Sequence, residues 1–208
     1  MQANPIPRWT ALDHDPQRPA QARALAWLAD SLDRDPRTLA LVRDGHGRPC
    51  LQVDVDGDGI PDIDLNWSHS GELLLLAMGE GQRVGIDVER VRRRPRALDI
   101  ARRFFHPDEV QWLQAQASDA LAAAFTRLWC AKEALLKAHG RGIAFGLHRF
   151  ALGERDGRLQ LLAGCDGLAP ADGWQLHELA TRAGYHAALA WRPRRNRPVS
   201  AHTSATTR

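Results

Sequence analysis

The first thirty residues carry apolar side chains at the spacing of an amphipathic helix. Between Gln17 and Leu32 these side chains recur every three or four positions, and a proline suits the first turn. Farther along, short apolar runs bounded by turn residues predict strands. The first half of the chain is therefore expected to combine a helix with strands at Leu39–Val42, Cys50–Val55, Leu73–Met78 and Val84–Glu89.

The second half follows an arginine- and proline-containing connection, Val91 to Arg96. Leu98–Phe105 predicts a short helix, and His106–Glu109 begins another with a proline and two acids in its first turn. A long helix is expected from about Asp119 to His139, ended by Gly140. Closing strands are predicted at Phe150–Leu152, Leu159–Leu162, Trp174–Leu179 and Tyr185–Trp191, so both halves are α+β with similar layouts.

A weak internal similarity supports a duplicated fold. Residues 71–77 and 184–190 share the spacing of a glycine and an alanine around an apolar strand. We place the N-terminal half at residues 1–92 and the C-terminal half at residues 93–191. Residues 192–208 are rich in Arg, Pro, Ser and Thr and have little to bury, so they are predicted to be a disordered tail.

Composition indicates a globular protein of 208 residues, 44% hydrophobic and 25% charged. The longest apolar run, Leu73–Met78, is too short to cross a bilayer, and Met1–Asp15 lacks the apolar segment of a secretory signal. Three cysteines lie far apart, which favours neither a disulfide framework nor a zinc site. These features predict a cytoplasmic protein without a membrane partner.

The formal net charge of +3 favours an acidic partner: a nucleotide, an acidic protein or a nucleic acid. Among 28 basic residues only Lys132 and Lys137 are lysines. Arg replaces Lys freely on a solvated surface, but not where a compact, titratable cation is needed. Two lysines within six residues therefore indicate a functional requirement in that segment.

Two carboxylates alternate along the predicted strand Val84–Glu89. Asp87 and Glu89 fall on one face, where they need Arg partners or a bridging cation such as Mg²⁺. An exposed strand end paired with neighbouring arginines is the alternative. On the helix, Trp129, Glu133 and Lys137 share a face, so Glu133 could supply a third carboxylate.

Further polar groups precede the strand at Leu73. Asn66–Ser70 offers an amide, hydroxyls and an imidazole, for which phosphate or ribose contact and a purely structural role are both open. The turn Arg43–Pro49 adds two cations around glycines. Asp54, Asp56, Asp58 and Gly59 resemble the start of a calcium loop, but position twelve is Leu65, so Asp54–Asp64 is interpreted as an acidic hairpin loop.

Val84-Gly85-Ile86-Asp87-Val88-Glu89 followed by Trp129-Cys130-Ala131-Lys132-Glu133-Ala134-Leu135-Leu136-Lys137 resembles the 4'-phosphopantetheinyl transferase superfamily, in its larger, surfactin-synthetase-activating type. Gly47-Arg48-Pro49, Asn66–Ser70 and Arg103–Glu109 resemble further segments of that family, and the likeness covers about residues 20 to 191. It implies a pseudo-dimer of two similar α+β subdomains, monomeric as a chain, with coenzyme A bound in the cleft between them.

The resemblance also implies roles for individual residues. Transfer of 4'-phosphopantetheine from coenzyme A to a serine of an acyl or peptidyl carrier protein would release 3',5'-ADP, with no nucleic-acid partner. Asp87, Glu89 and Glu133 would hold Mg²⁺, and Glu133 or a metal-linked water would take the serine proton. Catalysis would rest on Asp87, Glu133 and Lys137, with Lys132 and Lys137 on the phosphates and Arg43, Arg48, Ser68 and His69 on the nucleotide and its 3'-phosphate.

Arg48 stands where the family usually has Lys, so its contact is expected to survive with altered geometry. The arginine-rich stretch Arg90–Arg103 is our candidate docking surface for an acidic carrier, against the alternative of a solvated connection. Two other functions remain open at this stage. One is an inactive relative that binds a nucleotide or acidic protein, and the other is an extracellular calcium protein built on Asp54–Asp64.

Overall fold

The computed structural model describes residues 5–53, 62–165 and 167–194, and it confirms a mixed α+β architecture. Three short 3-10 helices follow the last α-helix, at 143–145, 147–149 and 171–173, and another lies at 36–38. The α-helices are α1 Ala20–Leu32, α2 Ala97–Phe104, α3 Pro107–Gln114 and α4 Leu121–His139. The strands are β1 Arg8–Asp13, β2 Leu39–Arg43, β3 Pro49–Val53, β4 Ile63–Ser70, β5 Leu73–Glu80, β6 Gln82–Arg90, β7 Ala151–Arg155, β8 Arg158–Ala163, β9 Gln175–Glu178 and β10 Tyr185–Pro193.

The N-terminal sheet is antiparallel with the strand order β1-β5-β4, and β2 and β3 form a separate hairpin. The sequence pattern did not predict β1, which pairs with β5 from Arg8 opposite Met78 to Asp13 opposite Leu73. Its side chains are only partly buried, so it lacks an apolar run by which a strand can be recognised. Strand β4 was not predicted either, because polar residues interrupt its apolar positions. Leu28 of α1 packs with Leu65 and Met78 against this sheet.

The second sheet has the order β6-β10-β9, with β7 and β8 as a hairpin beside it. β6 lies within the predicted N-terminal half, yet its backbone pairs with β10, with Asp87 opposite Ala188. The largest core is formed where α4 covers this sheet. Phe125, Leu128 and Leu135 of α4 are at most 1% exposed within it.

The internal similarity occupies matching positions in the two sheets. Residues 73–77 lie in β5 and residues 185–190 in β10, and each of these strands is the central member of a three-stranded antiparallel sheet. Gly71 and Gly184, which precede the two strands, both have a positive φ, at 56° and 80°. This arrangement is compatible with the predicted pseudo-dimer, which stays a prediction.

The predicted end of the long helix is confirmed, because α4 ends at His139 and Gly140 adopts the left-handed conformation with φ 92°. The proline predicted in the first turn of α3 is Pro107, and a capping box joins His106 to Glu109. Most of the predicted acidic loop, residues 54–61, lies outside the described residues, as do residues 195–208 of the predicted tail. Within the described ranges, no helix is both long and apolar enough to span a membrane.

Candidate active site

A row of polar side chains joins the two sheets where β4 runs beside β6. Asp64 Oδ2 accepts from the Val84 N–H at 2.7 Å, and Asn66 Oδ1 accepts from the Ile86 N–H at 3.0 Å. Because alternate side chains of a strand point the same way, residues 68 and 70 continue the row. Their hydroxyl groups reach the carboxylates of β6, so the polar segment 66–70 and the carboxylate strand meet in one place.

Asp87 and Glu89 share a face of β6, as predicted, because each accepts a hydrogen bond from a serine of β4. Ser68 Oγ donates to Asp87 Oδ1 at 2.7 Å, and Ser70 Oγ donates to Glu89 Oε2 at 2.9 Å. Arg94 lies 3.9 Å from the same Glu89 oxygen. Glu89 is therefore neutralised in part by Arg94, whereas the alternative of an exposed strand end paired with Arg90, Arg92 or Arg93 does not describe Asp87, which is buried.

Helix α4 supplies the other wall of the site because Gly85 of β6 lets the helix approach closely. A Cβ at Gly85 would lie only 2.1 Å from Ala134 O and 2.3 Å from Ala138 N. Between these two contact residues, next to Ala138, Lys137 Nζ donates to Asp87 Oδ1 at 2.8 Å and to Ile86 O at 3.1 Å. The two sequence motifs are thus joined by a direct ion pair.

Glu133 lies in a poorly solvated position on the same stretch of helix, with 9% of its surface exposed. Its pKa is raised to about 7, chiefly by burial and also by the nearby charges of Asp87 and Glu89, whereas Lys137 acts in the opposite direction. Glu133 Oε1 is buried without a hydrogen-bond partner, as is Asp87 Oδ2. Such orphaned carboxylate oxygens are costly unless a proton or a cation meets them.

These two oxygens fit an incoming Mg²⁺ ion, which uses one or two carboxylates together with substrate phosphates and water. A complete cage is absent: across the described ranges, no three His, Cys, Asp or Glu side chains are grouped to hold a metal by themselves. Ser70 and Arg94 both contact Oε2 of Glu89, and the role of Glu89 as a third ligand stays a prediction. Among the carboxylates of the site, Asp87 and Glu133 are therefore the two whose buried, unpartnered oxygens could meet such an ion.

Lys132 does not join this group, which corrects the expectation that it contacts a phosphate. Its side chain is fully buried, and its three N–H donors reach Glu109 Oε1 at 2.6 Å, Glu109 Oε2 at 2.7 Å and Phe150 O at 2.9 Å. The ammonium also lies 4.0 Å from the centre of the Phe150 ring. With all three protons used inside the core, Lys132 has none left for a ligand.

Arg48 also differs from its predicted role. It is 6% exposed, and its guanidinium donates to both oxygens of Asp64, to Val84 O at 2.6 Å and to Lys137 O. Four of the five N–H donors are engaged in this way, so at most one can reach a nucleotide. The residue mainly braces β4, β6 and the C-terminal end of α4.

An open pocket of about 210 Å³ lies beside these groups, lined by Arg43, Arg48, Trp67 and Lys137 together with Gly140 and Gly142. Arg43 stands over the Trp67 ring, 5.7 Å from its centre, and donates to Gly47 O at 2.6 Å. His46 also lines the pocket. An exposed arginine and an indole next to flexible glycine turns form a surface suited to an anionic, aromatic ligand.

His69 is exposed at the end of β4, and its ring stacks on His14 with centroids 4.1 Å apart. Burial lowers its pKa, with His14 and Lys137 acting in the same direction and Glu89 opposing them. Sequence reasoning had missed His14, because it follows the unpredicted strand β1 and lies 55 positions from its partner. It had missed Trp67 and His46 as well, although both lie inside segments that were singled out.

Residues 83–190, just over half of the chain, match the family model described as the 4'-phosphopantetheinyl transferase superfamily. The chain therefore belongs to this superfamily, as the two motifs predicted. The matched region contains the carboxylates of β6 and all of α4, but not the pocket residues from β2 to β4.

Curated relatives are similar over part of their length. A 4'-phosphopantetheinyl transferase of Bacillus subtilis is 33% identical over 122 residues, which is 59% of this chain and 50% of the relative. The transferase psf-1 of Bacillus pumilus is 39% identical over 107 residues, 51% of this chain and 42% of the relative. The chain thus spans about half the length of the curated relatives it matches.

Among solved structures, the holo-[acyl-carrier-protein] synthase of Thermotoga maritima superposes with a TM-score of 0.43 at 22% identity. The match covers 54% of this chain and 63% of that one.

Proposed function

We propose that this protein transfers the 4'-phosphopantetheine group of coenzyme A to a serine of an apo carrier protein, with Mg²⁺ as the metal and 3',5'-ADP as the leaving product. Membership of the superfamily gives the reaction class. The observation that carries the proposal for this chain is the pair of buried, unpartnered oxygens, Asp87 Oδ2 and Glu133 Oε1, beside Lys137.

The nucleotide part of coenzyme A would occupy the pocket next to α4. Arg43 and Trp67 offer a cation and an aromatic face there, and His69 is exposed close by. Lys137 is about one quarter exposed, so its ammonium can reach a diphosphate while it holds Asp87. In the transfer step, the serine oxygen bonds to the β-phosphorus and the bond from that phosphorus to the bridging oxygen breaks, leaving charge on 3',5'-ADP.

Glu133 is the group placed to take the proton from the carrier serine. Its raised pKa of about 7 suits a base that works near neutral pH, because it is then ionised in a large share of molecules and still basic enough to accept. A carboxylate has two oxygens, so one can face a cation while the other accepts a proton. Mg²⁺ bound at Asp87 and Glu133 would supply charge neutralisation on the diphosphate.

The carrier would dock on the arginine-rich stretch Arg90–Arg103. Arg92, Arg93, Arg96, Arg102 and Arg103 are exposed there, and an acidic helical partner would meet them favourably. Arg94 is held nearer the site by Glu89 and by the ring of Phe125. Charge reversal at Arg102 and Arg103 should therefore raise the KM for the carrier and leave the KM for coenzyme A unchanged. If both constants kept their values, this docking surface would be rejected.

The reaction itself is tested by incubating the protein with coenzyme A, Mg²⁺ and apo carriers of the acyl and peptidyl types, and then weighing the carrier. The expected result is a gain of one phosphopantetheine group with the intact protein and little gain with Glu133→Gln. Chelation of the metal should also stop the gain. If no carrier gained mass, the proposed transfer would be rejected, and the alternative of an inactive relative would be favoured.

A further inference from the structure

Two imidazoles stack at the end of β4, outside the part of the chain that matches the family model. The rings of His14 and His69 are nearly parallel, with 15° between their planes and 4.1 Å between their centroids. Strands β1 and β4 lie on either side of β5, so the two rings meet across the start of that strand. The N-terminal sheet therefore brings His14 to the edge of the candidate site.

His14 is held in place by the turn that joins β4 to β5. Its backbone N–H donates to Glu72 O at 2.8 Å, and its ring Nδ1 lies 3.0 Å from Gly71 O. Because a carbonyl oxygen only accepts, Nδ1 is the ring nitrogen that carries the proton. The other ring nitrogen, Nε2, has no hydrogen bond to any residue that the structure describes. The ring is thus already oriented, with one nitrogen free to meet a ligand.

A pair of parallel imidazoles suits one class of ligand. The edges of the two rings lie side by side, so a single tetrahedral anion can contact both. A phosphate monoester carries close to two negative charges near neutral pH and accepts hydrogen bonds at three oxygens. Such a charge favours the protonated forms of both imidazoles, in which every ring nitrogen donates. A neutral ligand group would not stabilise two adjacent cations in this way.

The acidic side chains near His14 are matched by arginines, so they oppose an anion less than free carboxylates would. Ion pairs of 2.6, 3.4 and 3.7 Å join Asp13 to Arg182, Glu72 to Arg182 and Asp15 to Arg18. The first turn of α1 carries no acidic residue, and Arg23 of this helix donates to the carbonyl oxygen of Asp13. The surroundings of the imidazole pair are therefore compatible with a bound phosphate.

The position of the imidazole pair indicates which phosphate it would meet. His69 follows Trp67 by two positions on the same face of β4, so their Cα atoms lie about 7 Å apart. Trp67 and Arg43 form the part of the pocket suited to an aromatic base. Lys137 and Asp87 form the part suited to a diphosphate. Coenzyme A carries one further anion, the phosphate monoester on the ribose next to its base, and the imidazole pair lies beside the aromatic part of the pocket.

From this placement we infer that His14 binds the ribose phosphate of coenzyme A together with His69, and that it helps the protein to select coenzyme A over the same molecule without that phosphate. This inference rests on the proposed function, to which it adds a residue that determines substrate specificity. His14 lies before the region matched by the family model, directly after a strand that local sequence pattern does not reveal.

The test compares coenzyme A with 3'-dephospho-coenzyme A, which differs only by the absence of the ribose phosphate. Binding of each ligand is measured by calorimetry in EDTA, so that metal binding does not contribute. His14→Phe keeps an aromatic ring for the stack but removes both ring nitrogens, whereas His14→Asn keeps a donor for Gly71 O. His148→Phe is the matched control, because His148 is an exposed histidine of the other half, in the short helix at 147–149. Thermal melting is recorded for every variant.

The unmodified protein should bind coenzyme A more tightly than 3'-dephospho-coenzyme A. Both His14 variants should weaken binding of coenzyme A about tenfold, which is a typical effect of losing one hydrogen bond to a charged group. Their affinity for 3'-dephospho-coenzyme A should stay within about twofold of the unmodified protein, because that ligand lacks the phosphate that His14 contacts. His148→Phe should change neither constant.

Three results would overturn the inference. One is equal affinity of the unmodified protein for the two ligands, and another is an equal loss of both affinities in a folded His14 variant. The third is a preference for coenzyme A that survives in His14→Phe but disappears in His69→Phe, because His69 would then act alone. If His14→Phe does not fold, the ratio of the two affinities in His14→Asn decides.

Failure of this inference can be distinguished from failure of the proposed function. If the unmodified protein bound neither ligand and modified no apo carrier in the presence of coenzyme A and Mg²⁺, the proposed transfer would be wrong. If the unmodified protein transferred the group, and His14→Phe kept the full preference for coenzyme A, only the role of His14 would be rejected.

Discussion

Replacement of Gly85 by alanine should separate the two walls of the site. The added Cβ would stand 2.1 Å from Ala134 O, whereas ordinary contact begins near 3.4 Å, so α4 and β6 must move apart by about 1.3 Å at this point. The atoms in the way are backbone atoms of a buried helix, which no side-chain rotation can relieve. Lys137, which directly precedes Ala138, would move with the helix away from Asp87, to which it now donates at 2.8 Å.

Two effects of Gly85→Ala can be estimated. Overpacking of this kind typically costs about 1–3 kcal/mol of unfolding free energy. A displacement of about 1 Å at reacting groups can lower turnover by about 100-fold. Turnover should therefore fall about 100-fold even though most of the protein stays folded, which the loss of stability alone cannot explain. The reason is that the carboxylates, Lys137 and the substrate phosphates must meet within hydrogen-bond distance.

The assay measures mass gain of the carrier over time and thermal melting of each variant. Gly173→Ala is the matched control, because the nearest atom to its added Cβ is Pro170 Cγ at 3.8 Å and the backbone conformation is ordinary. The control should keep both activity and melting temperature. Turnover of Gly85→Ala within twofold of the unmodified protein, at an unchanged melting temperature, would refute the reasoning.

Other variants test the charged groups. Lys137→Arg should lower turnover at least about tenfold without loss of fold, because a guanidinium cannot replace a compact ammonium between Asp87 and the phosphates; urea melting checks the fold. Lys132→Met should cost about 3–5 kcal/mol of unfolding free energy by leaving Glu109 buried and unpaired, and adding Glu109→Gln should restore part of it. Finally, kcat/KM should rise as pH increases through about 7, because Glu133 must lose its proton to act as a base; a flat profile would exclude that role.

Much of the fold could be predicted from local pattern. The helices α1 and α4 and the apolar strands β5 and β10 were recognisable because spacing of buried side chains reports secondary structure directly. Strand β1 was missed since its pairing with β5 depends on partners 60 to 70 positions away, and β4 was missed because polar residues interrupt its apolar positions. The pairing of β6 with β10, which places Asp87 in the second sheet, is likewise a long-range choice that no local pattern contains.

The site was predicted unevenly for a similar reason. Asp87, Glu133 and Lys137 come together as expected because two motifs named them and one close approach at Gly85 brings those motifs into contact. The hydrogen bond of Ser68 could not be foreseen, since it requires the register of β4 against β6. The sequence identified Ser68 as a polar group of interest but did not identify Asp87 as the acceptor of its hydrogen bond.

The two lysines are retained in this arginine-rich chain for two different reasons. Composition drew attention to Lys132 and Lys137 together, because every other basic position that is not histidine carries arginine. At 132 the reason is internal: three donors meet two oxygens of Glu109 and one carbonyl in a fully buried space, where a planar guanidinium would not fit. At 137 the ammonium is partly exposed and faces the pocket. The compact cation at 132 therefore serves the core, whereas the cation at 137 is the one available to the proposed reaction.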